Sequence, residues 1–214
     1  MDAARIGLKP FLAALAAVGA LEAAAALIPG GPLAATGAVR LLDIAVVCTL
    51  VFVYHGDLSP VGLSRATVPA GLRTGVLWSA LFGAAACAAG MILLVSGMEP
   101  LPLIQVRLPD SARGRILMFA VGGVAGPAAE ELVYRGLVYS FARRWGVWAA
   151  LCISTLLFVL SHPWGGAPPV PQIVGGIVFC LAYERSKSLI APMIIHMLGN
   201  TALFSISLGG AWLS

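Results

Sequence analysis

The chain has 214 residues, of which 60% are hydrophobic and only 10% are charged, and its mean hydropathy is +0.97. These values exclude an ordinary soluble domain and are typical of a protein that crosses a membrane several times. The formal net charge of +4 does not indicate nucleic-acid binding, because the basic residues stand singly or in pairs between hydrophobic runs. We therefore predict one integral-membrane domain with an all-α fold over residues 1–214.

Seven apolar stretches, each near the roughly 20 residues that a membrane helix needs, predict a bundle of about seven transmembrane helices. In chain order they are Phe11–Ile28, Val39–Tyr54, Gly75–Met98, Ile116–Ala142, Val147–His162, Ala167–Tyr183 and Ser188–Ser214. Pro163 directly follows the fifth stretch, so we expect that helix to end there. The cysteines all fall inside these stretches, and we expect them to be small buried residues without disulfides or metal: Cys48, Cys87, Cys152 and Cys180.

The basic residues between the stretches are unevenly distributed, which predicts the orientation of the chain by the positive-inside rule. If the N-terminus is cytoplasmic, eight lie on the cytoplasmic side: Arg5, Lys9, Arg65, Arg73, Arg143, Arg144, Arg185 and Lys187. Four lie on the other side: Arg40, Arg107, Arg113 and Arg115. We therefore predict a cytoplasmic N-terminus, and the composition rich in alanine and glycine indicates the inner membrane of a bacterium.

The sequence AAEELVYRG at residues 128–136 places three ionisable side chains inside the fourth stretch. Such groups are costly at mid-membrane unless they are paired or hydrated. Glu131 and Arg135 are four residues apart with the acid first, which favours an ion pair within one helix. Glu130 points about 100° away from that pair and is left without a cation on its own helix. Pro127 lacks an amide hydrogen, which leaves a carbonyl one turn earlier available for a partner.

Two histidines occur in apolar stretches with a repeated spacing of four residues. Phe158 and His162 share one helix face, and so do His196 and Asn200. We count residues along each helix from the nearest connecting turn to obtain depths below the membrane surface. Glu130 lies roughly 20 Å deep, His162 roughly 24 Å and Asn200 roughly 18 Å. We therefore predict that Glu130, His162, His196 and Asn200 meet in one layer as a catalytic set. The alternative is that the glutamates only hold helices together.

Three motifs of a known family, EExxxR, FxxxH and HxxxN, occur in order within these stretches. They read Glu130-Glu131-Leu-Val-Tyr-Arg135, Phe158-Val-Leu-Ser-His162 and His196-Met-Leu-Gly-Asn200. By them the chain resembles the CPBP family of intramembrane proteins, which includes the CAAX prenyl endopeptidases and bacteriocin-processing or self-immunity proteins. The motifs lie within residues 125–204, and the first 115 residues carry none.

The resemblance implies an intramembrane glutamic endopeptidase without an obligatory metal or other cofactor. Glu130 and His162 would activate the attacking water in such an enzyme. His196 and Asn200 would stabilise the oxyanion that develops at the scissile carbonyl.

Three further residues have supporting roles by the same resemblance. Glu131 and Arg135 would hold the site in shape, in agreement with the ion pair that their spacing predicts. Phe158 would pack the helix that presents the histidine of its motif. The resemblance implies that the partner is a membrane-associated protein or peptide substrate within the lipid bilayer. The sequence does not predict the oligomeric state of the chain.

Two other classes of function remain open on the residues alone. A zinc-dependent protease would use Glu130, His162 and His196 as ligands, since two histidines and a carboxylate form a known catalytic ligand set. A non-enzymatic transporter or immunity protein would use the same charges to conduct protons or to bind a partner. The metal content of the active protein distinguishes a zinc-dependent protease from a glutamic protease. The effect of single substitutions distinguishes a non-enzymatic protein from a protease.

Overall fold

The computed structural model describes residues 6–162 and 169–210, which form a helical bundle without strands. Seven long helices follow one another: α1 (Leu8–Ala26), α2 (Leu33–His55), α3 (Val68–Val95), α4 (Ala112–Trp145), α5 (Val147–Leu160), α6 (Val170–Ser186) and α7 (Ile190–Gly210). A short helix at Leu101–Ile104 and two 3-10 turns at Ser59–Val61 and Arg65–Thr67 lie in the connections. The predicted all-α bundle of about seven helices is confirmed.

Five helices are long and apolar enough to cross a membrane, namely α1, α2, α3, α4 and α7. α5 is also apolar but has only 14 residues. This is about 21 Å of helix, against roughly 30 Å for the hydrocarbon core of a bilayer. α6, with 17 residues, is longer than α5 but also shorter than a full span. α5 ends at Leu160, in agreement with the helix end predicted before Pro163, and residues 163–168 lie outside the described part of the chain.

α4 is not a uniform α-helix. Its segments Val121–Ala125 and Leu132–Tyr139 are wound as π-helix, and the segment Gly126–Glu131 between them is α-helical. π-Helical turns are rare and occur frequently at functional sites. Both π-helical segments flank the single stretch of α-helix that carries the two adjacent glutamates.

Contacts between distant segments define one end of the bundle. Arg144 Nη2 donates a hydrogen bond of 2.7 Å to the Ile6 carbonyl, and Arg143 Nη2 lies 3.0 Å from Glu184 Oε1. A backbone hydrogen bond joins the connection after α2 to the turn between α6 and α7. Ile6, the α2–α3 connection and the turns after α4 and α6 therefore meet at one end. These are the segments whose basic residues the sequence assigns to the cytoplasm.

A second charged cluster joins α1 to α2 near the opposite end. Arg40 of α2 forms an ion pair with Glu22 of α1, and its Nη1 lies 3.4 Å from Asp43 Oδ2. Asp43 is almost completely buried, with 1% of its surface exposed. This pairing offsets the cost of placing ionisable residues within two apolar spans.

The expectation that all four cysteines are buried is wrong for two of them. Cys180 is buried and Cys48 is partly buried, but Cys87 on α3 and Cys152 on α5 are exposed. An apolar stretch does not show which face of a membrane helix packs against protein, because lipid and protein neighbours both favour apolar side chains. The expectation failed for that reason.

Reporter fusions test the predicted topology. We expect reporters fused after residues 65 and 144 to lie in the cytoplasm, because both positions belong to the basic end of the bundle. A reporter fused after residue 107, in the connection before α4, should lie on the other side. The topology is wrong if the first two reporters are found on opposite sides of the membrane.

Candidate active site

Three helices bring Glu130, His162 and His196 together. Oε2 of Glu130 on α4 lies 3.8 Å from Nε2 of His162, which follows the end of α5, and 3.9 Å from Nε2 of His196 on α7. These separations exceed a direct hydrogen bond and are short enough for a water beside each pair to hydrogen-bond both of its atoms. The residue count from the α4–α5 turn predicts that Glu130 and His162 face each other, and they do.

Hydrogen bonds at Nδ1 fix the orientation of both imidazole rings. Nδ1 of His162 lies 2.7 Å from the Phe158 carbonyl oxygen, and Nδ1 of His196 lies 2.8 Å from Glu131 Oε1. A carbonyl and an ion-paired carboxylate accept hydrogen bonds, so Nδ1 carries a proton in both rings. Nε2 of each neutral ring is therefore an acceptor near Glu130, and it becomes a donor only when the ring is doubly protonated.

Glu131 and Arg135 form the ion pair that their spacing predicts. Arg135 Nη1 donates to Glu131 Oε1 at 2.9 Å, and both side chains are completely buried. Arg135 Nη2 also donates to the Gly176 carbonyl of α6 at 3.2 Å, and the guanidinium carbon lies 4.5 Å from the centre of the Phe158 ring. A buried pair of charges needs such additional partners to offset the loss of hydration. Since Glu131 also binds His196, one carboxylate connects α4 directly with α7 and, by way of Arg135, with α6.

Aromatic rings enclose the two histidines. The Phe158 ring lies 4.6 Å from the His162 ring and 5.8 Å from the His196 ring, measured between centroids. Phe158 thus packs against the histidine of its own motif. Phe179 of α6 stacks on His196 with a centroid distance of 4.7 Å and an interplanar angle of 21°. No motif marks Phe179 in the sequence, because an aromatic residue in an apolar helix is usually only a packing residue.

Asn200 on α7 contacts the backbone of α4 rather than a titratable side chain. Its Nδ2 donates to the Gly122 carbonyl at 2.9 Å. The π-helical turn pairs the Gly126 N–H with the Val121 carbonyl, and Pro127, the next residue, has no N–H for Gly122. The carbonyl that Pro127 was predicted to release is therefore the one that positions Asn200. The Asn200 amide retains a second N–H.

Exposure decreases across the site from Glu130 and His162 to His196 and Glu131. The side chains of Glu130 and His162 are 21% and 24% exposed, whereas His196 is 7% exposed and Glu131 is completely buried. α5 is shorter than the hydrocarbon core, so a helix of this length that begins at the membrane surface would end with His162 inside the membrane. The cluster thus has two partly exposed outer groups and two buried inner groups.

The zinc alternative concerns the same three side chains, Glu130, His162 and His196. Within residues 6–162 and 169–210, no group of three or more His, Cys, Asp and Glu side chains has the arrangement of a metal site. Because histidine and glutamate are zinc ligands in known catalytic sites, measurement of bound metal is part of the functional test.

Comparison with known proteins agrees with the motifs. Residues 112–202 match the family described as type II CAAX prenyl endopeptidase Rce1-like. The chain is similar to the membrane-embedded CAAX protease MroQ of Staphylococcus aureus (strain USA300), with 33% identity over 110 residues. The match covers 48% of this chain and 41% of MroQ, so the chain spans less than half the length of that relative. No solved structure matches the chain.

The two adjacent glutamates should differ in their effect on stability. Glu131→Gln leaves Arg135 buried without a carboxylate and weakens the bond to His196, so we expect a loss of about 3–5 kcal/mol in the free energy of unfolding. Glu130→Gln keeps the shape of a partly exposed side chain, and we expect a change within about 0.5 kcal/mol. Thermal unfolding of both variants in one detergent measures the difference. Equal midpoints would contradict the assignment of separate roles.

Proposed function

We propose that this chain, whose residues 112–202 belong to the Rce1-like family of CAAX endopeptidases, is an intramembrane endopeptidase. Its substrate is a membrane-associated protein or peptide, such as one with a hydrophobic C-terminal tail. The proposal is carried by one observation: Oε2 of Glu130 lies 3.8 Å from His162 Nε2 and 3.9 Å from His196 Nε2, distances that one water can bridge, inside an apolar bundle. A positioned water between a carboxylate and an imidazole is the arrangement that general-base hydrolysis requires.

The first step in this proposal is activation of the water. Oε2 of Glu130 and the neutral Nε2 of His162 are both acceptors, so a water between them donates one hydrogen bond to each. Transfer of one proton to Glu130 produces the hydroxide that attacks the scissile carbonyl carbon. The low dielectric of the bundle strengthens these interactions compared with bulk water. Glu130 and His162 are the two accessible members of the cluster, in agreement with contact to both water and substrate.

Stabilisation of the oxyanion is assigned to His196 and Asn200. Asn200 has one amide N–H left after its bond to Gly122. His196 donates from Nε2 only as an imidazolium, so in this proposal it holds its second ring proton throughout the cycle, with the Glu131 carboxylate at Nδ1 stabilising the charge. In this proposal Glu131 has two roles, because it neutralises Arg135 and also orients His196.

The second step breaks the peptide bond. The tetrahedral intermediate expels the amine as the carbonyl re-forms, and the leaving nitrogen takes the proton that Glu130 had accepted. Glu130 is then a carboxylate again, and the products are a new carboxyl terminus and a new amino terminus. Every proton in this cycle is accounted for, and the reaction needs no redox partner.

Substitutions of His196 and Asn200 test the proposal. Asn200→Ala should lower turnover by about 10²- to 10³-fold, the range for loss of one oxyanion donor, and should change substrate affinity much less. If both residues stabilise the same oxyanion, the double variant with His196→Ala should lose less than the product of the two single losses. Turnover, affinity and bound zinc are measured for the wild type and all three variants.

Ser205→Ala is the matched control, because Ser205 is a polar residue of the same helix that is exposed and only bonds its own backbone. It should keep wild-type turnover. Stoichiometric zinc in active wild-type protein, lost in His196→Ala, would contradict the glutamic mechanism and favour the zinc enzyme. Loss of function in Glu130→Ala with normal function in His162→Ala would favour a non-enzymatic protein.

A further inference from the structure

Three arginines at the end of the bundle opposite to the basic end have no ion-pair partner within the part of the chain that the structure describes. The positive-inside rule disfavours arginines on that side, so each of them needs a local structural explanation. Of the four basic residues predicted there, Arg40 is paired with carboxylates of α1 and α2. Arg107, Arg113 and Arg115 form no ion pair with any residue of the described ranges. They lie together in the connection before α4 and in its first turn.

Arg107 and Arg115 line a cavity of about 320 Å³. The connection before α4 forms one wall of the cavity, and Ser207 and Leu208 at the end of α7 form the other. The backbone N–H of Val106 donates to Ser207 Oγ at 2.9 Å, which holds the two walls together. The cavity is therefore built by contacts between distant parts of the chain and is not a gap in one loop.

The guanidinium of Arg115 is only partly satisfied. Its Nη2 donates to the Asp110 carbonyl at 3.1 Å, but its Nε is buried and has no hydrogen-bond partner among the described residues. Asp110 is the only carboxylate among the residues that line the cavity, against two arginines. The lining therefore has a net positive charge, which fits an anion.

The apolar surroundings favour one source of that anion. Leu208 lines the cavity, and Ile116, next to Arg115 on α4, is 70% exposed. The cavity lies at the ends of the membrane-spanning helices α4 and α7, which is the level of the lipid headgroups. A phospholipid combines a phosphate for the arginines with acyl chains for the exposed apolar side chains.

We propose that this cavity binds the headgroup phosphate of an anionic phospholipid. The planar guanidinium groups of Arg107 and Arg115 present paired N–H donors that match the oxygens of a phosphate. Arg113, in the same segment, does not line the cavity and does not contact the bound phosphate. The site is independent of the proposed protease activity, since it involves none of the residues around Glu130.

Lipid binding to the purified protein in a zwitterionic detergent tests the proposal. Native mass spectrometry gives the affinities for phosphatidylglycerol and for phosphatidylcholine, and we expect the wild type to prefer phosphatidylglycerol. The double variant Arg107→Gln/Arg115→Gln should bind phosphatidylglycerol about 30-fold more weakly, from about fivefold for each arginine. The matched control Arg113→Gln removes the same charge from the same segment and should change the affinity less than about twofold.

Three results would overturn the proposal. Equal losses in Arg113→Gln, Arg107→Gln and Arg115→Gln would show a diffuse surface attraction instead of a site. Displacement of phosphatidylglycerol by millimolar inorganic phosphate would show a site for small anions. Equal affinity for the two lipids would show no recognition of the headgroup. If the double variant unfolds in detergent, Arg115→Lys, which keeps the charge and loses the paired donors, is compared with Arg113→Lys, and only the first should weaken binding.

Discussion

The buried ion pair between Glu131 and Arg135 is the interaction on which the rest of the site depends. Neither side chain has access to water, so only protein groups can offset the loss of hydration. The Gly176 carbonyl and the His196 ring each form a hydrogen bond with the pair, and this ties α6 and α7 to α4. Glu131 Oε2 and Arg135 Nε have no hydrogen-bond partner among the described residues. Because Glu131 is committed to this network, the adjacent Glu130 is the carboxylate that remains available at the accessible side of the site. Two neighbouring glutamates of the same chemistry thus have different environments, which the helical rotation between them determines.

The ion pair and the facing of Glu130 and His162 could be predicted from the sequence, because both follow from residue spacing along regular helices. The π-helical segments of α4 could not, since they depend on tertiary packing: the first packs against α2 and α7, and the second mainly against α5. The sequence indicated that Pro127 would free a carbonyl, but it did not identify Gly122, because the answer depends on the π-helical register. Phe179 was missed because its contribution comes from a tertiary stack on His196. The exposed cysteines show the same limit: periodicity in an apolar helix does not separate lipid from protein neighbours.

The length of α5 gives the site its position in the membrane. A full span would carry His162 beyond the hydrocarbon core, whereas a helix of 14 residues ends inside it. The exposure of Glu130 and His162 then provides an accessible side within an apolar environment, next to a buried network that keeps the rings in place. At the end of the bundle opposite to the basic end, Arg107 before α4 and Arg113 and Arg115 in its first turn have no ion-pair partner among the described residues. They form a separate polar feature, which by the lipid proposal would fix the long helix α4 relative to the lipid headgroups. In this account α4 contributes both to the orientation of the protein in the bilayer and to the geometry of the site.

The most direct test of this account is the turnover of Glu130→Gln compared with the wild type, both freed of metal by a chelator and assayed in the same lipid with a peptide substrate. If Glu130 activates water, metal-free wild-type protein remains active and Glu130→Gln loses about 10²- to 10⁴-fold in turnover, the range for a general base. Its thermal stability should stay that of the wild type, because the buried pair is untouched. Wild-type activity that disappears with the chelator and returns with zinc, or a Glu130→Gln variant that keeps a large share of its turnover, would contradict the account.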